Sequence, residues 1–578
     1  MKLAAILFLC LTQIAYAQST PAQANDGKQP RRDGVITGRV TGDDGQAVAG
    51  ATVEIFGVSP QRNWVPPVTT DAEGNFKFTG LAPAPYYVSA RAPGYVIDLN
   101  RASESHRIGE HLTFNLVRGG VITGRVTDAN GEPLVEAQVT PRRISDLEGR
   151  STRQSMESYR RTRLTDDRGV YRLYGLEPGV YVVFISGGLD DESGRGGELR
   201  TLIYHPSSSR GTASEITVRG GEEVTGVDIR VRDQRGYTVS GAVTGAVQSG
   251  DQRGTGVILT NLVDGQIERM ANDAGQGRFA LQNVPDGEYE ITAVREGGEN
   301  NIAVSNSRRL TVRGADVSGI ELNLVTLGSI TGRVVVESAN SKDAVRACGS
   351  AEQSSLEEMT LEARRDEIAP QSQPYWIFSM RRGSPFDLTA PNQKGEFTWK
   401  NLFPGRHRIV ADLPNENWYV RAVNQPPAGA EKNPVNASSN GVVVKPGEKL
   451  SGIEVIVAEG AASLNGHVVP SKEGFKLPSR LRVHLIPAES AAADDVLRYA
   501  EAAVGSDGGF GFKHIPPGKY LLSARQAAEK EVNDGRPRPL AWDAVERARL
   551  HREAVAAKNE IELKVCERVK ERVLRWQP

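Results

Sequence analysis

Five short stretches of this chain share one pattern around a glycine, and they decide the fold. The first two copies read Val35-Ile36-Thr37-Gly38-Arg39-Val40 and Val121-Ile122-Thr123-Gly124-Arg125-Val126. Three more divergent copies are Thr238-Val239-Ser240-Gly241-Ala242-Val243, Ser329-Ile330-Thr331-Gly332-Arg333-Val334 and Ser463-Leu464-Asn465-Gly466-His467-Val468. Alternating apolar residues predict a half-buried β-strand, and a glycine within it predicts a bulge or a close backbone approach. Each copy is predicted to open one module of a repeat.

A second motif follows each opening strand. It consists of a turn, a strand with aromatic or large residues at alternate positions, a second turn that is Pro-Gly in most copies, and another strand. In the first copy it runs from Asp71 through Gly74 and Phe78 to Tyr86, and in the second it starts at Asp167. Residues two apart share a strand face, so the motif predicts an antiparallel meander that packs one face into a sandwich. The aligned aromatics that we expect in the module cores are Phe76, Tyr171, Phe279, Phe397 and Phe510.

A third motif closes the modules and decides two ambiguous segments. It reads Gly226-Val227-Asp228-Ile229, Gly319-Ile320-Glu321-Leu322 and Gly452-Ile453-Glu454-Val455, with Leu112 to Leu116 and Glu560 to Val565 in the outer modules. Helix propensity alone would favour one helix over 541–572. The repeat register instead predicts a short helix near Trp542 to Arg552 and then a closing strand through Val565. By the same register, Met359 to Ala363 is predicted to be a strand although a capping box precedes it.

The glycine-bearing opening strand and the Asp-x-x-Gly-x-aromatic block, closed by Pro-Gly-x-Tyr, resemble the carboxypeptidase regulatory-like domain. The resemblance runs from Asp33 to about Val565, with two departures: Asp286 replaces the proline in the third copy and His407 replaces the tyrosine in the fourth. It implies a transthyretin-like sandwich, related in shape to carbohydrate-binding-like folds. We therefore expect an all-β chain, a tandem array of about five transthyretin-like/Ig-like β-sandwich modules with a short C-terminal helix. Such modules accompany very different proteins, so the fold does not define a function.

The motifs divide the chain, and its start indicates export. Lys2, the apolar run Leu3 to Ile14 and Ala15-Tyr16-Ala17 are typical of a signal peptide cleaved after Ala17. We expect a periplasmic, cell-surface or secreted protein, with no later apolar run long enough to span a membrane. The predicted divisions are a signal peptide (1–17), a linker (18–32) and sandwiches at 33–118, 119–234 with charged insertions, 235–327, 328–459 with insertions, and 460–578 with the helix and a terminal strand.

Composition and cysteine usage narrow the function classes. The 578 residues suggest roughly four domains. Seventy Lys and Arg against 71 Asp and Glu give a formal charge of −1, which argues against a nucleic-acid partner. Of the three cysteines, Cys348 and Cys566 follow the predicted cleavage site. An oxidising compartment permits their pairing, but their distance in sequence favours two separate thiols.

The sequence offers no motif for catalysis. No histidine begins His-x-x-Glu or His-Glu-x-x-His, and the nearest approach, His106 to His111, has the wrong spacing for zinc. A Gly-x-Ser-x-Gly elbow between strand and helix and a phosphate-binding Gly-Lys-Ser/Thr are absent as well. We expect a non-enzymatic protein that needs no metal or cofactor.

Binding is the favoured class of function. Aromatic residues in insertions without a repeat counterpart are candidate platforms for a sugar ring, although the favoured interpretation of each is a lid over its own module. These candidate ligand-binding residues are Trp64, Tyr375, Trp376, Trp418 and Tyr419, whereas Trp399 aligns with core positions. The leading hypothesis is an exported multi-module binding or scaffold protein, a semi-rigid array whose modules touch only their neighbours. The alternatives are a polysaccharide-binding protein and a partner-binding component of an envelope protein complex.

Overall fold

A computed structural model describes most of the chain. The described residues are 33–57, 65–96, 105–147, 149, 161–186, 202–207, 209–231, 236–245, 255–263, 267–273, 277–296, 302–337, 348, 354–366, 388–427, 435–471, 477–478, 480–527 and 538–576. The predicted signal peptide and linker lie outside them. Five hydrophobic cores follow each other along the described chain, and we call the corresponding units modules one to five. The cores draw on residues 36–116, 122–229, 239–324, 330–457 and 462–574.

Short strands form nearly all of the described regular structure. Module one contains β1 (Gly34–Gly42), β2 (Thr52–Gly57), β3 (Val68–Thr69), β4 (Asn75–Leu81), β5 (Tyr86–Arg91), β6 (Tyr95–Val96), β7 (Ser105–His106) and β8 (His111–Arg118). Module two contains β9 (Gly120–Thr127), β10 (Gln138–Ser145), β11 (Arg163–Leu164), β12 (Val170–Leu176), β13 (Gly179–Ser186), β14 (Ile203–Tyr204), β15 (Ile216–Val218), β16 (Glu223–Val224) and β17 (Ile229–Arg230). Module three contains β18 (Tyr237–Gly245), β19 (Thr255–Asn261), β20 (Ile267–Asp273), β21 (Arg278–Val284), β22 (Gly287–Glu296), β23 (Ile302–Ser305), β24 (Arg308–Val312) and β25 (Val317–Thr326).

The last two modules continue the pattern and add the helix. Module four contains β26 (Gly328–Glu337), β27 (Thr360–Arg365), β28 (Leu388–Thr389), β29 (Glu396–Leu402), β30 (Gly405–Asp412), β31 (Trp418–Gln425), β32 (Val435–Asn436), β33 (Val442–Val444) and β34 (Lys449–Glu459). Module five contains β35 (Ala462–Pro470), β36 (Leu481–Pro487), β37 (Ala500–Ala503), β38 (Gly509–Ile515), β39 (Gly518–Gln526), α1 (Ala544–Ala557), β40 (Glu560–Leu563) and β41 (Arg568–Trp576). The structure is all-β with tandem sandwich modules and one C-terminal helix, which confirms the predicted fold class.

Each module places its opening strand between two partners in a first sheet. In module one, β1 pairs antiparallel with β4 and parallel with the closing strand β8. The same arrangement recurs around β9, β18, β26 and β35. In module one a second sheet, β3-β2-β5-β7, packs against the first and the core lies between them, whereas in module three the strands form one continuous eight-stranded sheet. The five aligned aromatics from the second motif are buried in these cores, with exposed fractions between 1% and 6%.

The glycine of each opening strand is required by a close backbone approach. A Cβ atom on Gly38 would lie 2.4 Å from the carbonyl oxygen of Leu112 and 2.4 Å from the ring of Phe76. The four equivalent glycines would meet the closing-strand carbonyls of Val227, Ile320, Ile453 and Arg572 at 2.0–2.3 Å. Any larger residue would therefore push the closing strand away from the opening strand.

The same hydrogen bond recurs in the turn that precedes the fifth strand of each module. The tyrosine hydroxyl donates to the carbonyl oxygen four residues earlier, as from Tyr86 to Ala82 at 2.8 Å and from Tyr289 to Pro285 at 2.9 Å. In module four, Nε2 of His407 lies 2.8 Å from the oxygen of Phe403, four residues earlier. The two departures from the family pattern, Asp286 and His407, thus leave this bond in place.

Three local predictions need correction. Glu560–Leu563 is a strand, but it pairs antiparallel with β39 in the second sheet, whereas the closing strand is β41. The helix α1 starts at Ala544, two residues after Trp542, and extends past Arg552 to Ala557. In module two the aspartate that caps the turn is Asp166, which accepts from the Val170 amide at 2.7 Å, and not Asp167.

The capping box before β27 gives only one turn of helix. The Ser355 hydroxyl accepts from the Glu357 amide at 3.2 Å, and a single 3-10 turn covers Leu356–Glu358. The strand Thr360–Arg365 follows directly, as the repeat register predicts. Tertiary pairing with β30 therefore overrides the local helix signal.

Candidate functional site

The structure describes two of the five aromatic candidates for ligand binding. Trp418 is 7% exposed and belongs to the core of module four, so it offers no open face for a sugar ring. Tyr419 is half-buried, and burial raises the pKa of its hydroxyl. Trp64, Tyr375 and Trp376 lie outside the described residues. Trp399 is 3% exposed in the core, where the repeat alignment places it.

A disulfide connects modules four and five at the junction where Trp418 and Tyr419 lie. Cys348 and Cys566 form a disulfide with a Cα–Cα distance of 5.1 Å across 218 residues of sequence. The prediction of two separate thiols is therefore wrong. Only the packing of module four on module five brings these residues together, and neither the cysteine spacing nor the repeat pattern carries that information.

Arg568 holds the same junction together through its guanidinium group. It donates to the carbonyl oxygen of Ala461 at 2.7 Å, to that of Glu416 at 3.2 Å and to the side-chain oxygen of Asn417 at 2.5 Å. The backbone oxygen of Asn417 accepts from the amides of Gly460 and Ala461. A planar guanidinium with several fixed donors suits such a multiple contact better than an ammonium group.

A second set of contacts also joins modules four and five. Asp366 of module four pairs with Arg408 at 3.2 Å and with Arg538 of module five at 2.7 Å. The ring of Trp542 lies 5.1 Å from the Arg364 guanidinium and 5.4 Å from that of Arg408. Stacked cations and a shared carboxylate at a half-buried interface favour one orientation of the two modules.

Module one also reaches this junction, which corrects the expectation that modules touch only their neighbours. Arg107 forms an ion pair with Asp412 at 2.6 Å and donates to the backbone oxygen of Glu358 at 3.2 Å. Nearby, Nδ1 of His514 lies 2.9 Å from the Trp418 oxygen. Burial lowers the pKa of His514, although the hydrogen bond to the Trp418 oxygen and the charge of Asp412 oppose this shift.

An exposed aromatic on module one was missed by the sequence reasoning. Phe56 is 57% exposed on the outer face of the second sheet, with Tyr87 as its cross-strand neighbour. On the same face Arg91 and Glu54 form an ion pair at 2.5 Å. The alternation in β2 contained the signal, because Val53 and Ile55 point inward and Phe56 must then point outward.

The histidines of the described chain do not converge. His106 lies 3.1 Å from Glu110, and His111 instead contacts the hydroxyl of Thr37 at 3.1 Å. Among the described residues, no group of three or more His, Cys, Asp or Glu side chains is arranged to hold a metal ion. No helix within the described ranges has the length and apolar character needed to cross a membrane.

Comparison with family models finds one match, which lies in the first module. Residues 35–102 match the family model of the carboxypeptidase regulatory-like domain. A search among curated proteins found no match.

Several solved structures are similar to parts of the chain. They include the Bacillus anthracis TIE protein (17% identity, 51% of this chain and 51% of that chain, TM-score 0.14) and a streptococcal ancillary pilin (11% identity, 50% and 99%, TM-score 0.17). Two B repeat units of the collagen-binding protein of Staphylococcus aureus match with 12% identity over 74% of this chain and 100% of that chain, at a TM-score of 0.14. The chain spans about half the length of the TIE protein that it matches.

Proposed function

We propose that this chain is a non-enzymatic, exported scaffold whose sandwich modules present binding surfaces outside the cytoplasm. The observation that carries the proposal is the clamped junction of modules four and five. A disulfide, the Arg568 contacts and the Asp366 ion pairs all connect the same two modules. Such connections fix the angle between two domains, which is what a spacing or presenting role needs.

Two further features support export. The first seventeen residues have the charge, apolar run and small-residue site of a signal peptide. The disulfide is typical of compartments outside the reducing cytoplasm. Both would be unusual in a cytosolic enzyme.

The proposal is tested with the mature protein, from Gln18 to Pro578, immobilised through one terminus. Solubilised envelope proteins and purified cell-wall polysaccharides are passed over it, and saturable binding is measured by surface plasmon resonance. We expect saturable binding to at least one class. Turnover of a polysaccharide or peptide substrate by the purified protein, without such binding, would contradict a scaffold role.

Carbohydrate binding on module one is a second candidate, favoured by the exposed ring of Phe56. A pyranose ring can stack on an aromatic face while Glu54 and Arg91 supply a hydrogen-bond acceptor and donors beside it. If this is the site, Phe56→Ala should weaken glycan binding by about tenfold, in line with the loss of one stacking contact of roughly 1.4 kcal/mol. Val443→Ala, at an exposed residue of module four, is the matched control.

A further inference from the structure

The closing strand has two neighbours in most modules. On one side it pairs in parallel with the opening strand. On the other side an antiparallel strand of the same module covers it, namely β6 on β8, β23 on β25 and β31 on β34. In module two a backbone segment takes this place, since the amide of Arg230 donates to the oxygen of Pro206 at 2.8 Å. The second edge of the closing strand is thus occupied in modules one to four.

Among the residues that the structure describes, no strand of module five pairs with this edge of the closing strand. Within the described part of the chain, β41 pairs only with β35. The Ser471 amide donates to the oxygen of Trp576, which shows that the peptide groups of Trp576 and Leu574 face β35. Those of Val573 and Arg575 consequently point to the open edge. Arg575 occupies the register position that Arg230 has in module two.

The open edge is long and accessible. β41 has nine residues, and Leu574 anchors it in the core at 2% exposure. Val573 is 60% exposed, and Lys570, Glu571 and Arg575 are exposed as well. An unpaired strand of this length can template the addition of another strand.

The net positive charge of β41 favours an acidic strand as its added partner. β41 carries Arg568, Lys570, Arg572 and Arg575 against Glu571 alone. Arg568 binds the junction with module four, and Arg572 donates to the oxygen of Glu560. Lys570 and Arg575 have no ion-pair partner among the described residues. A second copy of β41 would set like charges against each other, which is unfavourable across an antiparallel pair.

We propose that the edge of β41 binds an extended, acidic segment of a partner polypeptide as an added antiparallel strand. Backbone hydrogen bonds at Val573 and Arg575 would supply affinity, and Lys570 and Arg575 would select acidic side chains. The proposal rests on the scaffold function and names the chemistry of one partner.

The test uses the mature protein and three nine-residue peptides in isothermal titration calorimetry. One peptide alternates Thr and Val with Glu, one carries Lys in place of Glu, and one is the acidic peptide with a central proline. The acidic peptide should bind at least about tenfold more tightly than the other two, and added salt should weaken it. Val573→Pro removes an outward amide without touching the β35 ladder, so it should abolish binding at an unchanged melting temperature. Val573→Thr, the matched control, should bind normally.

A charge-reversed variant tests separately whether Lys570 and Arg575 select an acidic peptide. Lys570→Glu combined with Arg575→Glu should lose the acidic peptide and gain the basic one. Equal binding of all three peptides, or full binding by Val573→Pro, would overturn the proposal. Self-association that Val573→Pro abolishes would assign the edge to a second copy instead and overturn the acidic partner. An envelope partner that still binds Val573→Pro would leave the scaffold function standing while excluding this edge as its site.

Discussion

Gly38 shows how a single residue type is dictated by the distance between two strands. Its missing Cβ makes room for the carbonyl oxygen of Leu112 and the ring of Phe76. Gly38→Ala should destabilise module one by about 1–3 kcal/mol, because the added methyl group forces the closing strand outward. Gly57→Ala is the control, since a Cβ there would be 3.7 Å from the nearest side chain. Urea denaturation of the two variants measures the difference, and equal stability would contradict the close-approach explanation.

At the scale of the element, alternation predicted strands reliably but not the sheet to which each belongs. β40 alternates apolar and charged residues, but a period of two carries no information about the partner strand. β41 was missed because Arg572 stands where the other modules have Leu112, Val227, Ile320 and Ile453 opposite the glycine. The repeat motif therefore pointed to the nearest apolar alternation, at Glu560 to Val565.

The assignment of β41 as the closing strand of module five gives a direct prediction. Leu574 is buried in the core, so Leu574→Ala should cost about 2–5 kcal/mol. Val565, exposed beyond the end of β40, serves as the control, and Val565→Ala should change stability by less than about 0.5 kcal/mol. Calorimetry should show the transition that includes module five shifted to a lower temperature by Leu574→Ala alone. The opposite order of effects would restore Glu560 to Val565 as the closing strand.

At the scale of the whole molecule, the repeat pattern defined the modules but not their mutual packing. The repeated motifs describe positions that the modules share. Arg107, Cys348 and Cys566 lie outside those motifs, so the ion pair with module four and the disulfide between modules four and five could not be predicted from them. The burial of the candidate aromatic residues could not be predicted for the same reason. Trp418 lies in an insertion by sequence alignment, yet its ring fills the core of module four.

The half-buried His514 should make the stability of this junction pH-dependent. Burial lowers the pKa of His514, so the folded state binds fewer protons than the unfolded state. Its stabilising contribution is therefore present above about pH 6.5 and is lost as the pH falls through the lower pKa of the folded state. The melting temperature of wild type should fall more between pH 7 and pH 5 than that of His514→Gln, whose amide can still donate to the Trp418 oxygen. Parallel pH profiles would exclude His514 as the cause.

The clamp between modules four and five is tested most directly by calorimetry of the mature protein with and without Cys348→Ser and Cys566→Ser. Closing a loop of 218 residues stabilises by about 5 kcal/mol in the chain-entropy description. The wild-type protein should unfold both modules in one cooperative transition, and the double variant should show two separate transitions, the first at a lower temperature. Two independent transitions in the oxidised wild type, unchanged by the substitutions, would contradict a clamped pair and with it the scaffold account.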